Sequence, residues 1–379
     1  MIFDYETLRI IWWAFLGVLL IGFSVTGGFD LGVGILLPFL GKNDEERRVI
    51  INSVGRTWEG NQVWFVMSGG ALFAAWPLAY AVSFSGMYFA LLLTLFALFL
   101  RPLGFDYRSK LPSEKWRGNW DRALFVGGFV PALVFGVAFG NLLQGIPFQL
   151  ESDMRIVYLG SFWELLNPFA IFAGLISLSM FIMHGAIYLQ IKTVGDIYDR
   201  ARKSVRIFNL LTLVFFALAG YWIIYLEGYH ITSEVFPGGP SDPLAKMVKR
   251  EPGLWLDNYG HFPWFWAVPA GAFVSSLVTI VLSHIHKPGK AFICSCFTVA
   301  AIILTAGCSM FPFIIPSSIS FSSSLTVWDS SSSKFTLNLL FWMTVMFLPL
   351  IVVYTSWVFR VLRGKVTVEF IRDNDHTAY

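Results

Sequence analysis

The chain has 379 residues, of which 56% are hydrophobic and 13% are charged, and its formal net charge is +3. Charged residues make up about 25% of an ordinary soluble domain, so this composition excludes a soluble globular protein. The charges lie between apolar runs that are long enough to cross a hydrocarbon core of about 30 Å. The basic residues fall in the loops between these runs, which indicates membrane orientation rather than a nucleic-acid partner.

The first segment predicts a retained transmembrane helix rather than a cleaved leader. Asp4, Glu6 and Arg9 precede the first apolar run. A secretory signal instead begins with positive charge and has a short apolar stretch. The run extends from Ile10 to Leu40, which is long enough to span a membrane and remain there.

In chain order, the apolar runs predict an all-α polytopic membrane protein, with about nine transmembrane helices in a single domain over residues 1–379. Only Trp76-Pro77 separates the second helix from the third, because proline ends a helix by removing a backbone donor. The predicted spans are 10–37, 62–80, 82–103, 123–144, 165–189, 207–226, 262–283, 290–313 and 337–359.

The distribution of Lys and Arg predicts how the helices are oriented. If the N-terminus is periplasmic, the segments placed inside carry 21 of the 27 basic residues and the segments outside carry 6. Loops on the cytoplasmic side of a membrane carry the excess of Lys and Arg. The sequence therefore predicts a periplasmic N-terminus and a cytoplasmic C-terminus, and merging the second and third spans would remove the asymmetry.

Two segments between spans have a distinctive composition. Residues 42–56 form a polar helical stretch on the inside, with its acidic residues before its basic ones, an order that suits the helix dipole. Residues 316–334 are serine-rich and resemble a disordered linker. Leu325, Val327 and Trp328 lie within that stretch as apolar anchors, and they favour an ordered outside loop.

Four ionisable residues lie in or beside the predicted spans, where charge is costly and raises a functional hypothesis. They are Asp30, Glu59, Arg101 and Asp106, and the predicted topology puts all four in the cytoplasmic half. A structural interpretation stands beside the functional one. Glu59 would then cap a helix N-terminus, and Arg101 would extend from a helix end toward water.

The histidines bear on whether this chain ligates haem. His184 is the only histidine within a predicted span, whereas a haem needs axial His, Met or Cys ligands. Met180 and Met183 lie on the same helix and cannot take the opposite axial position. The sequence therefore predicts a packing or hydrogen-bonding role for His184, and no metal-ligating or cofactor-binding residues on this chain.

Several motifs together resemble subunit II of the cytochrome bd quinol oxidases. They occur in family order over almost the full chain. They are TGGFDLG at 26–32, WEGNQVW at 58–64, GGALFAAWP at 69–77, RPLGFDYR at 101–108, GVAFGNLLQG at 136–145, FPF at 311–313, PSS at 316–318 and SLTVWD at 324–329. The chain departs from the family pattern at Gly27, where an acid is expected, and at Arg56-Thr57, where enteric relatives carry a histidine.

The resemblance implies a role in a terminal oxidase that couples quinol oxidation to the reduction of dioxygen to water and generates proton motive force. In this family haem b and haem d lie in subunit I, which ligates them. Subunit II scaffolds that partner and contributes proton and oxygen routes, and small single-span accessory subunits, membrane lipid and quinone complete the expected partners. By motif match Glu59 and Asp106 resemble the family's proton-route carboxylates, with Asp30 a third candidate. Trp64 resembles the residue near the oxygen entrance, and Arg101 is a structural or route-lining residue.

Other classes of membrane protein make different predictions. A secondary transporter would have paired, interrupted helices in two halves and charges at the midplane, but the sequence shows no internal repeat and its acids lie toward one side. A membrane cytochrome that carries its own haem is disfavoured by the histidine count. A non-redox membrane scaffold is the remaining alternative.

Overall fold

The chain is described from a computed structural model over residues 3–374 and residue 379. It is 75% helical, as predicted for an all-α membrane protein. The helices are α1 Tyr5–Leu40, α2 Asp44–Val54, α3 Trp58–Ala75, α4 Pro77–Gly86, α5 Tyr88–Tyr107, α6 Glu114–Gln144, α7 Pro168–Lys192, α8 Gly195–Trp222, α9 Asp257–His261, α10 Ala267–His284, α11 Pro288–Met310, α12 Lys334–Val361 and α13 Val368–Asp373.

Within the described residues, eight helices are long and apolar enough to cross a membrane. They correspond to eight of the nine predicted spans. The remaining predicted span, 62–80, corresponds to α3, whose first turns contain Glu59, Asn61 and Gln62 and are too polar for this criterion. The first turns of α3 therefore require polar neighbours rather than lipid.

The boundary at Trp76-Pro77 is confirmed, but the helices around it differ from the prediction. The second span ends at Ala75 rather than at residue 80, and the third begins at Tyr88 rather than at residue 82. The short helix α4 lies between them and contacts the loops of the side predicted to be outside. Two carbonyls at the end of α3 are satisfied by Ser332, whose hydroxyl donates to Ala74 and whose backbone N–H donates to Ala75.

Helices α1 and α7 form the centre of the bundle. Helix α1 packs against α3, α6 and α7, and α7 packs also against α8. Gly185 of α7 meets α1 so closely that an added Cβ would lie 2.7 Å from the backbone of Gly32 and Val33. Glycine is therefore required at this crossing, as at many helix contacts in membranes, where small residues let backbones approach.

Three antiparallel hairpins build the loops of the side predicted to be outside. Ser317 and Ile146 form a bridge between the first and third loops. Leu325 and Val327 are fully buried, which confirms that the serine-rich segment is ordered. The paired strands are β1 Phe148–Leu150 with β2 Ile156–Tyr158, β3 Glu227–Ile231 with β4 Val248–Pro252, and β5 Phe313–Ile315 with β6 Leu325–Thr326.

Helix α2 lies at the opposite end and is tied to its surroundings by charge. Asn43 caps the helix by accepting a hydrogen bond from the Glu46 backbone, and the acidic first turn matches the predicted polar helix. Each charged residue of the first turn pairs with another element. The ion pairs are Asp44 with Arg108 and Arg117, Glu45 with Arg372, Glu46 with Arg200, and Arg47 with Asp121.

Candidate functional site

Asp30 lies inside the bundle, well before the end of α1. It stands ten residues before Leu40, the last residue of α1, which is about 15 Å along the helix axis. Its side chain is 2% exposed, and its Oδ2 accepts a hydrogen bond of 2.8 Å from Asn61 Nδ2 of α3. The other carboxylate oxygen is buried without a protein partner.

Arg101 does not extend to water from a helix end, so that structural prediction is wrong. It is 3% exposed, and Nη1 donates to Gln62 Oε1 at 3.1 Å. The guanidinium lies over the Trp58 ring at 5.5 Å, within the range of a cation–π contact. Gly127 leaves room for this side chain, since an added Cβ would lie 2.8 Å from Arg101 Cγ.

Asp30 and Arg101 line one small cavity, together with apolar side chains from α1, α2, α5 and α6. Its volume of about 10 Å³ is near the smallest that holds one water molecule. Asp30 Oδ1 and Arg101 Nη2 are buried without a protein partner. A water bound in this cavity would therefore have one acceptor and one donor beside it, although most of the lining is apolar.

Glu59 and Asp106 lie at the ends of α3 and α5, on the side predicted to be inside. Glu59 is in the first turn of α3 and Asp106 is the penultimate residue of α5, and both are exposed. The residues before them hold these ends together, because the rings of Trp58 and Phe105 stack with centroids 5.5 Å apart. Glu59 also suits the N-terminal end of its helix dipole, so a structural contribution accompanies any functional one.

The four ionisable residues form a buried pair and an exposed pair. Asp30 and Arg101 share the buried cavity, whereas Glu59 and Asp106 mark the surface nearby. Asn61 and Gln62 connect the exposed pair to the buried pair, since they follow Glu59 on α3 and bond to the buried pair. Their importance was visible in the sequence only as two polar residues at the start of an apolar run.

Trp64 lies apart from this polar cluster. It is 8% exposed, and it packs on Gly22 of α1, where an added Cβ would lie 2.5 Å from the indole ring. Trp64 lines a cavity of about 450 Å³ between α1, α3, α7, α11 and α12. Val25, Phe29, Phe292 and Val352 contribute to its mainly apolar wall.

His184 makes the buried hydrogen bonds that the sequence predicted for it. Its Nδ1 lies 2.8 Å from Ser295 Oγ, and its Nε2 lies 2.9 Å from the Val25 carbonyl oxygen. The ring also stacks on Phe292 with centroids 4.8 Å apart. Both ring nitrogens are therefore occupied within the bundle.

Comparisons with known proteins agree over nearly the whole chain. Residues 8–362 match the family described as "Cytochrome bd terminal oxidase subunit II". The chain is 52% identical over 377 residues to cytochrome bd-I ubiquinol oxidase subunit 2 of Escherichia coli strain K12, covering 99% of this chain and 100% of that protein. It is 51% identical over 376 residues to the probable cytochrome oxidase subunit 2 of Haemophilus influenzae, with the same coverage.

A more distant relative gives the same assignment, and a solved structure has a similar fold. The chain is 30% identical over 364 residues to cytochrome bd ubiquinol oxidase subunit 2 of Bacillus subtilis, covering 95% of this chain and 97% of that protein. Its fold resembles a chain in the structure of bd oxidase from Geobacillus thermodenitrificans, with a TM-score of 0.69, 18% identity and coverage of 94% and 98%. The chain therefore belongs to the cytochrome bd terminal oxidase subunit II family, and it is an inner-membrane subunit of a terminal quinol:dioxygen oxidoreductase.

Proposed function

We propose that this chain carries a proton route from the cytoplasm toward the oxygen-reducing centre of the oxidase, with Glu59 and Asp106 at its entrance. The observation that supports it best is the buried Asp30 carboxylate bonded to Asn61, on the same helix as Glu59. Reduction of dioxygen to water consumes protons, and hydrocarbon offers no path for them. Polar side chains with water between them supply such a path.

The arrangement suggests an order along the route. Glu59 and Asp106 are exposed and take protons from water. Asn61 and Gln62 hold Asp30 and Arg101 in place by hydrogen bonds, and the cavity between the buried pair has room for a water. A proton reaches Asp30 by this line of groups, while Arg101 offsets the negative charge of its carboxylate.

An oxygen route along Trp64 is the second part of the proposal. Dioxygen is small and apolar and partitions into hydrocarbon rather than into a polar channel. The cavity beside Trp64 is lined mainly by apolar side chains, and it is separate from the cavity that Asp30 lines. Separate polar and apolar paths let protons and dioxygen enter without competing.

The third part of the proposal concerns the partners. The chain acts as one transmembrane domain that scaffolds the haem-bearing subunit I, with small single-span subunits, lipid and quinone as further partners. Haem b and haem d are ligated by subunit I. The occupied nitrogens of His184 support this placement, because an axial ligand needs a free ring nitrogen.

Neutralising the entrance carboxylates tests the proton route. Glu59→Gln and Asp106→Asn keep shape and hydrogen bonding but cannot relay a proton as an acid does, so each variant of the full oxidase should lose most of its oxygen consumption. Haem content should stay normal, because both side chains are exposed. Haem content and turnover are measured on the same preparation.

Glu114→Gln is the matched control, since Glu114 is an exposed acid in the first turn of α6. It should keep full turnover. A capping or ion-pairing role for Glu59 and Asp106 predicts poor assembly with unchanged turnover per haem. Full turnover in both neutral variants would eliminate the proposed route.

The placement of the haems has its own test. The chain purified without subunit I should show no stoichiometric haem in a redox difference spectrum. The same chain purified with subunit I should show the haem bands. A full haem complement on the lone chain would contradict the assignment of all ligands to subunit I.

A further inference from the structure

A group of basic side chains lies where α8 and α10 meet, at the end of the bundle predicted to be inside. Arg202 and Arg206 stand four residues apart on α8, so they share one face of that helix. Helix α10 ends at His284, and the short turn after it carries His286. Arg202 Nη1 donates to His286 Nε2 at 2.6 Å, and Arg206 Nη2 donates to His284 Nδ1. Two arginine–histidine contacts thus join the helices at this end.

These contacts leave most of the positive charge of the two arginines uncompensated. An imidazole nitrogen that accepts from arginine carries no proton, so each ring supplies an acceptor but no negative charge. At His286 the other nitrogen lies 3.0 Å from the Tyr198 hydroxyl, which can accept its proton. Among the residues that the structure describes, the only carboxylate paired with either arginine is that of Asp199, 3.3 Å from Arg202 Nη2. The arginines around α2, by contrast, pair with carboxylates.

Two lysines extend this basic group along the chain. Lys287 follows His286 directly, and Lys290 lies in the first turn of α11. Both lysines are exposed, as is Arg206, so an anion can reach them from outside the bundle. Helix α11 begins here, and the positive end of a helix dipole also favours an anion.

The helix surfaces beside this basic group are apolar and exposed. They carry Ile207 and Leu210 on α8, and Val281 and Ile285 on α10. Ile207 follows Arg206 directly, so the change from charge to apolar surface takes place within one helical turn. That change marks the boundary between water and hydrocarbon. A ligand at this place would meet positive charge at one end and apolar surface at the other.

We propose that these ends of α8 and α10 bind the phosphate group of an anionic phospholipid, whose acyl chains lie along the apolar surfaces of the two helices. Arg202 and Arg206 donate to the phosphate oxygens, because a guanidinium group presents a planar fork of donors that matches phosphate. His284 and His286 hold the two guanidinium groups in place. Basic pockets between spanning helices on the cytoplasmic side recognise such head groups. The site lies on other helices than the proposed proton route and does not depend on it.

The excess of basic residues on a cytoplasmic face has a general explanation that needs no ligand. Membrane orientation requires positive charge on that side but does not require it at one place. If charge alone attracted lipid, any two exposed cations at this end would contribute equally. Lys110 and Lys115 are such a pair, since both are exposed near the start of α6.

The test compares the full oxidase complex carrying Arg202→Gln/Arg206→Gln with the complex carrying Lys110→Gln/Lys115→Gln. Binding of dioleoylphosphatidylglycerol to the delipidated complex is measured by native mass spectrometry. Each basic residue near an anionic lipid contributes about fivefold in affinity, so the arginine variant should bind this lipid roughly ten- to thirtyfold more weakly than the parent. The lysine variant should stay within about twofold of the parent, because its cations lie outside the proposed site.

Two further variants and two further ligands complete the design. Arg202→Lys/Arg206→Lys keeps the charge and should retain most of the affinity, and Arg206→Gln alone carries the test if the double glutamine variant loses haem. The parent should bind dioleoylphosphatidylcholine, which has the same acyl chains, less tightly, and glycerol phosphate should not displace the anionic lipid. Unchanged affinity in the arginine variants, an equal loss in the lysine control, equal binding of the two lipids, or displacement by glycerol phosphate would each overturn the inference.

Discussion

At the scale of single residues, the buried pair of Asp30 and Arg101 requires neighbours that form hydrogen bonds with it. Removing an ion from water costs several kcal/mol even after the protein relaxes, and hydrogen bonds must offset that cost. Asn61 and Gln62 each supply one such bond, to Asp30 and Arg101 respectively. Two amides at the start of an otherwise apolar helix are therefore explained by the charges that they contact.

Replacing Asn61 tests this explanation. Asn61→Leu removes the donor to Asp30 and leaves a buried acceptor unsatisfied, which should destabilise the protein by about 1–3 kcal/mol. The temperature at which the purified oxidase loses its haem absorbance measures the change. Asn119→Leu, at an exposed position of α6, is the control and should leave that temperature unaltered. Equal stability of Asn61→Leu and the parent oxidase would show that Asp30 does not depend on this bond.

At the scale of elements, close helix crossings decide how the bundle packs. Without a hydrophobic drive between helices in lipid, association depends on van der Waals contact and on small residues. Gly136 and Gly140 of α6 meet α7 in this way, since an added Cβ would lie 2.7 Å from Gly174 Cα and 2.6 Å from Ala170 Cα respectively. These contacts place α7 at the centre and make it the most buried of the spanning helices.

The crossing of α1 and α7 gives a direct prediction. Gly185→Ala puts a methyl group 2.7 Å from the α1 backbone, which cannot move aside as a flexible side chain can, so about 1–3 kcal/mol or more is lost to overpacking. The yield of haem-containing oxidase per unit of membrane protein should fall. Gly17→Ala on α1 is the control, because nothing lies within 4 Å of its added Cβ. An undiminished yield in Gly185→Ala would mean that the two helices are farther apart than described.

At the scale of the whole molecule, the two ends of the bundle differ in how they are held together. The end predicted to be outside is built from hairpins and from buried hydrogen bonds. Arg9, for example, is fully buried and donates to Ser331 and Ser241. The end predicted to be inside is joined by ion pairs around α2, including Arg108 with Asp121 at 2.6 Å. Basic residues gather at this second end, as expected for a cytoplasmic face.

Cysteine labelling in intact cells tests the orientation. Tyr5 is a poor position because its hydroxyl contacts Ser241, Ser331 and Ser332, whereas Glu6 and Lys115 are exposed at opposite ends. A cysteine at Glu6 should react with a membrane-impermeant reagent, and one at Lys115 should react only after permeabilisation. The reverse pattern would mean that the predicted orientation is inverted. His376, a further position on the predicted inner side, lies outside the described residues.

The sequence by itself determined the class of protein, the number of long apolar helices to within one, and the family. These follow from composition and from local patterns, because a span needs only about 20 apolar residues in a row. The break at Trp76-Pro77 was also predictable from the local sequence, because proline ends a helix. The ends of α4 and α5 were not predictable in this way, because the loop contacts of α4 come from residues distant in the chain.

The tertiary structure alone decided which candidate residues lie together. Asp30 and Arg101 line one cavity and Asn61 bonds to Asp30, but the three residues come from three helices, and their spacing in the sequence contains no sign of these contacts. Gly32 and Gly185 form the central crossing, although the sequence contained a hint in Gly28 and Gly32, which stand four residues apart on one helix face. Tyr379 is held on α2 by two hydrogen bonds to Asn52. Contacts between distant segments depend on how helices pack, and helix packing is not encoded in the apolar pattern of any one span.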